Sequence, residues 1–108
     1  MKRGEIWWAS LPTATGYRRP VLFVQANSFN QSKIPTVLVA AITSNLSLAH
    51  APGNVRVSKT DSGLSKPSVI NTSQVITVDK SILTKRVKIL PGKVLARVDE
   101  GLKLVLCL

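Results

Sequence analysis

Few side chains in this sequence are able to do chemistry on a substrate, and their types narrow what that chemistry is. There is one histidine, His50, one cysteine, Cys107, and five carboxylates, Glu5, Asp61, Asp79, Asp99 and Glu100, scattered over 108 residues. A pair of histidines passing protons is excluded, and so is a multi-cysteine zinc site. Carboxylates this dispersed argue against a two-metal centre. His50 sits in a polar stretch and reads as simply exposed. Cys107 ends an apolar stretch with nothing beside it to activate a thiol, so it reads as a small core residue. No metal and no cofactor are expected.

Cations are plentiful instead: 15 Lys and Arg against 5 Asp and Glu, a formal charge of +10. No run of five like charges occurs, so the excess must lie on a folded surface, where it can form a patch for a polyanion. Solubility through net charge is the bland alternative; a threefold excess in so small a chain favours nucleic acid. A membrane surface fits less well, because the one amphipathic helix lacks interfacial aromatics. Unpaired bases are read by stacking and by hydrogen bonds to their edges. Tyr17 offers a ring and Arg18 a stacking cation, while Asn71, Ser73 and Gln74 offer amides and a hydroxyl at a strand junction. Asn71 and Ser73 fit ordinary turn chemistry equally well.

The elements that must position these groups are mostly strands. Residues 5–10 read as a first strand, stopped by Leu11-Pro12 and a loop ending at Gly16. Trp7 and Trp8 must face opposite sides of it, one toward the core and the other toward a dimer contact. Residues 20–25 are apolar without alternation, as in a strand covered on both faces. A helical turn follows Asn27, and residues 36–43, rich in β-branched side chains, form the clearest strand. After a polar loop over 44–53, short strands are expected at 54–57, 68–71, 74–78 and 87–90, with Asp79 capping a helical turn. The tail is helical after Pro91: Val94, Leu95, Val98, Leu102, Val105 and Leu106 share one arc, and Lys93, Arg97, Asp99, Glu100 and Lys103 lie opposite. The expectation is one domain spanning 1–108, mainly β with a C-terminal helix, closed as a small, strongly bent barrel. No apolar run approaches the ~20 residues of a bilayer span, and the first residues lack a signal peptide's apolar stretch, which points to the cytoplasm.

Four segments in order resemble one family, the MazF/PemK-type toxins of toxin–antitoxin systems. Lys2-Arg3-Gly4-Glu5-Ile6-Trp7-Trp8 is similar to the family's first strand, and Arg19-Pro20-Val21-Leu22-Phe23-Val24-Gln25 to its Arg-Pro second strand. Val39-Ala40-Ala41-Ile42-Thr43-Ser44-Asn45 resembles the strand ending in Ile-Thr-Ser. Residues 68–79 resemble the later strand pair, with a Gln before an apolar run and an Asp-Lys after it. The likeness covers essentially the whole chain. The first loop departs from it: residues 12–20 are shorter than the family's loop and carry no acid.

The resemblance implies an SH3-like barrel of the CcdB/MazF type, a homodimer, and an endoribonuclease that cuts single-stranded mRNA at short sequences, halting translation and growth. It implies a cognate antitoxin whose disordered, acidic tail occupies the RNA groove. By motif match the catalytic arginine falls on Arg19 and the catalytic threonine on Thr43, with Ser44 beside it among the RNA contacts. RNA supplies its own nucleophile, the 2'-hydroxyl, so the enzyme need only align it, move protons and stabilise charge on the phosphorus oxygens. A guanidinium can donate to two of those oxygens at once, and a strand-end threonine holds its hydroxyl stiffly. The resemblance also gives the arginine proton-transfer roles, which strain a group that stays charged near neutrality. A 2',3'-cyclic phosphate and a 5'-hydroxyl are the expected products. Two rival readings remain: a gyrase-poisoning protein of the CcdB type, which classes with a C-terminal Trp absent here, and an RNA-binding barrel without chemistry.

Overall fold

The computed structural model describes residues 1–10 and 17–108, so the expected loop over 11–16 lies outside the described residues. Six strands form one antiparallel sheet in the order β4-β5-β3-β2-β1-β6. They are β1 (Glu5–Ser10), β2 (Arg18–Phe23), β3 (Thr36–Thr43), β4 (Val55–Val57), β5 (Ser68–Asp79) and β6 (Leu83–Ile89). Two single-turn helices, α1 (Asn27–Asn30) and α2 (Lys59–Ser62), and the long α3 (Gly92–Leu106) complete the regular structure, with 3-10 turns at Leu46–His50 and Lys80–Ile82.

The unbroken apolar run of β2 has the expected cause, because both faces of the sheet are covered. Leu22 joins Ile6, Ile42, Ile70 and Val98 under α3. Its neighbours Val21 and Phe23 join Ala9, Val37 and Val39 on the other face. The two tryptophans split in the same way. Trp7 stacks on Phe23 with centroids 5.9 Å apart, whereas Trp8 packs against the cluster under α3. Both remain half-buried, so neither is the fully enclosed core residue that alternation suggested.

Other expectations need correction. The strands expected at 68–71 and 74–78 are one twelve-residue strand, β5. The turn chemistry of Asn71 is real, its Oδ1 accepting from the Ser73 N–H at 3.2 Å and the Ser73 hydroxyl at 2.7 Å. It closes a bulge rather than a break, since pairing to β3 jumps from Ala40↔Val75 to Ala41↔Asn71. Strand β6 begins at Leu83 and not at Val87, because Leu83 pairs with β1, and so do Lys85 and Arg86 despite their charge. Helix α2 was not foreseen, although its cues are local: Ser58 Oγ accepts from the Asp61 N–H at 3.1 Å, and Gly63 ends it at φ 75°. In α3 the buried stripe ends early. Val94, Val98 and Gly101 are buried, but Val105 and Leu106 are exposed, the former beside the loop at Gly53. Cys107, expected in the core, is exposed and ends the helix in a left-handed turn at φ 59°.

Glu5 is a buried carboxylate that ties the N-terminus to β6. Its Oε1 accepts from the Lys2 N–H at 2.9 Å and the Trp7 indole at 3.1 Å, and its Oε2 from Arg86 Nε at 2.6 Å. Burial opposes ionisation, but the Arg86, Lys2 and Trp7 donors outweigh it and hold the carboxyl below its ordinary range. A carboxyl lowered by folding contributes stability above its unfolded pKa, and that contribution is lost as pH falls through the folded value. The urea midpoint should therefore decline below the ordinary carboxylate range. Asp79, lowered by the Ser81 N–H and hydroxyl, acts in the same direction, so Glu5→Gln should flatten the acid limb only partly. Parallel curves for parent and variant would contradict the role given to Glu5.

Candidate active site

The site grows from the start of β2 and the end of β3. Pro20 has no N–H to offer a ladder, and hydrogen-bonded pairing of β2 with β3 begins only at Val21↔Ala41. Before that point β2 pairs with β1 (Trp8↔Pro20, Ala9↔Arg19), while the end of β3 pairs with β5 (Thr43↔Val69). Continuing the register two residues sets Arg19 opposite Thr43, across a gap where the two strands no longer bond. Proline also restricts the residue before it to extended backbone, which holds Arg19 in the strand.

That gap opens into a cleft of about 270 Å³. Tyr17, Arg18, Arg19, Thr43 and Ser44 line it. Trp8, Ser65, Lys66 and Ser68 also line it. Among the described residues no carboxylate and no histidine lines it.

Three side chains in the cleft, Arg19, Arg18 and Thr43, are held by neighbours. Arg19 Nε donates to the Tyr17 hydroxyl at 3.3 Å, and its guanidinium carbon lies 5.3 Å from the Tyr17 ring centroid. Among the described residues no hydrogen bond engages its two terminal nitrogens. Arg18 lies over the Trp8 ring, 5.2 Å from its centroid, a cation–π contact on an otherwise exposed side chain. Thr43 Oγ1 accepts from the Asn45 N–H at 3.1 Å, which fixes its rotamer and leaves its own proton free to donate.

Five residues nominated from sequence therefore share this cleft: Tyr17, Arg18, Arg19, Thr43 and Ser44. Asn71, Ser73 and Gln74 do not line it; Asn71 is buried in the β5 bulge, and Ser73 and Gln74 are exposed beside it. Sequence reasoning missed Trp8, Ser65, Lys66 and Ser68. Only the turn residues around Gly63 and Pro67 hinted that this segment loops back, and nothing local said where it would land.

The family of PemK-like, MazF-like toxins of type II toxin–antitoxin systems matches residues 2–106. The chain belongs to that family. It is 42% identical over 110 aligned positions to the endoribonuclease MazF2 of Mycobacterium bovis, covering 98% of this chain and 96% of that one. To the endoribonuclease EndoA of Bacillus subtilis it is 35% identical over 112 positions, covering 100% and 96%. Among solved structures, an endoribonuclease in complex with its cognate antitoxin from a mycobacterial species superposes with a TM-score of 0.86 at 19% identity, covering 100% of this chain and 96% of that one. The Mycobacterium tuberculosis toxin MazF-mt6 gives 0.82 at 23%, covering 96% and 97%. At such identities the superpositions speak for the fold, and they bear out the mainly β architecture with a C-terminal helix. Of the loop over residues 12–20, expected to depart from the family pattern, residues 12–16 fall outside the described residues. No helix among the described residues is long and apolar enough to cross a membrane.

Proposed function

We propose that the chain is a metal-independent endoribonuclease that cuts single-stranded RNA through attack of a 2'-hydroxyl on the adjacent phosphorus. The observation that carries this reading is that Arg19 and Thr43 line one cationic cleft with no carboxylate in its described lining. The 2'-oxygen bonds to phosphorus, the bond to the 5'-oxygen breaks, and the products are a 2',3'-cyclic phosphate and a 5'-hydroxyl. Arg19 donates to the non-bridging oxygens as their charge rises, and the Thr43 hydroxyl donates to the same phosphate. The 2'-hydroxyl loses a proton and the leaving oxygen gains one; water and phosphate oxygens carry both, since no histidine or carboxylate in the described lining is there to do so. Metal independence is supported by where the acids lie: Glu5, Asp99 and Glu100 pair with Arg86, Arg3 and Lys103.

The same cleft would take the acidic, disordered tail of a cognate antitoxin, in keeping with the mycobacterial relative solved with its own antitoxin. Exposed Leu104, Leu106 and Leu108 offer an apolar surface that a second copy of the chain would cover in a homodimer. The deciding experiment is to map the ends left on a long RNA with a chelator present. Cyclic phosphates and 5'-hydroxyls at recurring short sequences, undiminished by the chelator, are expected. Intact RNA together with trapped gyrase–plasmid complexes would support the CcdB-type reading instead, and intact RNA with salt-sensitive binding would leave a non-catalytic barrel.

A further inference from the structure

Behind the segment that rims the cleft lies a second, shallower depression of about 560 Å³. Three cations line it, each from a different element: Arg56 from β4, Lys59 from α2 and Arg97 from α3, with Asp61 the one carboxylate among the lining residues. The placement follows from the packing of each element. In β4, Val55 and Val57 enter the core, so Arg56 between them must point outward. In α3, Val94 and Val98 dock on the sheet, which turns Arg97 to the exposed side. Among the described residues none of the three cations is in an ion pair; the carboxylates of Glu5, Asp99 and Glu100 are taken by other partners. The depression and the cleft lie on either side of one chain segment. Pro67 lines the one, and its neighbours Lys66 and Ser68 line the other, so only the thickness of a single chain segment separates them.

Three unpaired cations gathered from three elements, next to a site that handles a phosphodiester, fit a strand longer than the cleft can hold. We propose that Arg56, Lys59 and Arg97 form a tract that holds the phosphates of RNA flanking the scissile linkage, with Lys66 bridging the tract to the cleft. This rests on the reading of the cleft as an RNA site. The tract contacts backbone phosphate and reads no base, so it adds affinity for long single strands and leaves the choice of cut site alone. It lies apart from Arg19 and Thr43, so it acts on binding and not on the chemical step.

The test compares two RNAs sharing one cut sequence, one of a few nucleotides and one with long single-stranded flanks, on the parent and on the triple variant Arg56→Gln, Lys59→Gln, Arg97→Gln. The long-over-short advantage in kcat/KM should fall at least tenfold in the variant. Each single-strand phosphate contact contributes about 0.7 to the logarithmic salt slope, so three removed contacts lower it by about 2. Between about 50 and 200 mM salt, KM for the long RNA should then rise about 20-fold less than in the parent. The matching variant Arg56→Lys, Arg97→Lys should keep most of the advantage, which separates charge from folding. An unchanged ratio and slope would overturn the tract, and so would a variant that loses only antitoxin affinity. A parent that cuts neither RNA would defeat the nuclease reading alone. Filter binding of the long RNA would still decide the tract, with equal retention of parent and variant overturning it.

Discussion

Replacing Arg19 by alanine should slow RNA cleavage about 100- to 1000-fold in kcat while changing KM far less. The expectation follows from how the side chain is held. Pro20 keeps its backbone extended, its Nε donates a hydrogen bond to the Tyr17 hydroxyl, and the guanidinium rests by the Tyr17 ring, 5.3 Å from the centroid. A donor fixed in advance needs no reorganisation when charge builds on the phosphorus oxygens, and that is where a guanidinium acts most. Ground-state binding is shared with Arg18 and Lys66 in the same cleft, so the loss of one cation barely weakens it. Arg19→Lys should recover little, because a point charge on a flexible stem does not reproduce the planar fork. Arg18→Ala should behave differently, raising KM with a small change in kcat, since Arg18 lies over Trp8 as a stacking cation. Single-turnover kinetics on a fixed RNA separate the two cases. An Arg19→Ala protein as fast as its parent, with Arg18→Ala inactive, would exchange the roles of the neighbours; two active variants would remove the arginines from the chemistry.

The largest effect on stability is expected at Gly101, where α3 meets the loop before β4. A Cβ there would lie 2.0 Å from the carbonyl oxygen of Gly53 and 3.1 Å from Thr72 Cγ2. Gly53 is equally confined: its φ is 85°, and its own Cβ would meet the Gly101 carbonyl at 3.1 Å. The two glycines let helix and loop touch backbone to backbone. In an exposed helix, Gly→Ala stabilises by about 1 kcal/mol, but here a backbone atom would have to move. Overpacking of this kind costs roughly 1–3 kcal/mol and sometimes more. The clash wins, and Gly101→Ala should lower stability by about 2 kcal/mol, roughly 8–16 °C in Tm. The shift would spread, because Asn54 accepts from the Thr72 N–H at 3.1 Å and donates to the Leu48 carbonyl at 2.9 Å. Gly92→Ala is the control. Nothing lies within 4 Å of that position, so the same substitution should stabilise slightly. Two variants moving together in a thermal melt would refute the steric account.

Much of this arrangement is written locally. The β-branched run of β3 and the unbroken apolar run of β2 are visible because each is a property of a few consecutive residues. The caps at Ser58, Asn45 and Asp79 are equally local, since a side-chain oxygen reaches a backbone N–H two or three residues on. The continuity of β5 was not visible. Asn71 and Ser73 signal a turn whether they end a strand or bulge one, and only the partner strand decides which. The end of the buried stripe on α3 was likewise invisible, because the periodicity of Val105 and Leu106 records what a helix could bury and not how far its support extends.

Composition and motif order alone determined the chemistry this protein has to work with: guanidinium and hydroxyl donors, hardly any carboxylates, one imidazole, and a mainly β chain closed by a helix. Which of its cations lie together was decided by tertiary structure. Arg19 and Thr43 meet because the β2–β3 register, interrupted at Pro20, sets them across one gap; Arg56, Lys59 and Arg97 meet because three packing faces happen to turn the same surface outward. Residue types and short-range periods are properties of a window of sequence. Register, bulges and the landing point of a loop depend on contacts between distant windows, and these exist only once the chain has folded.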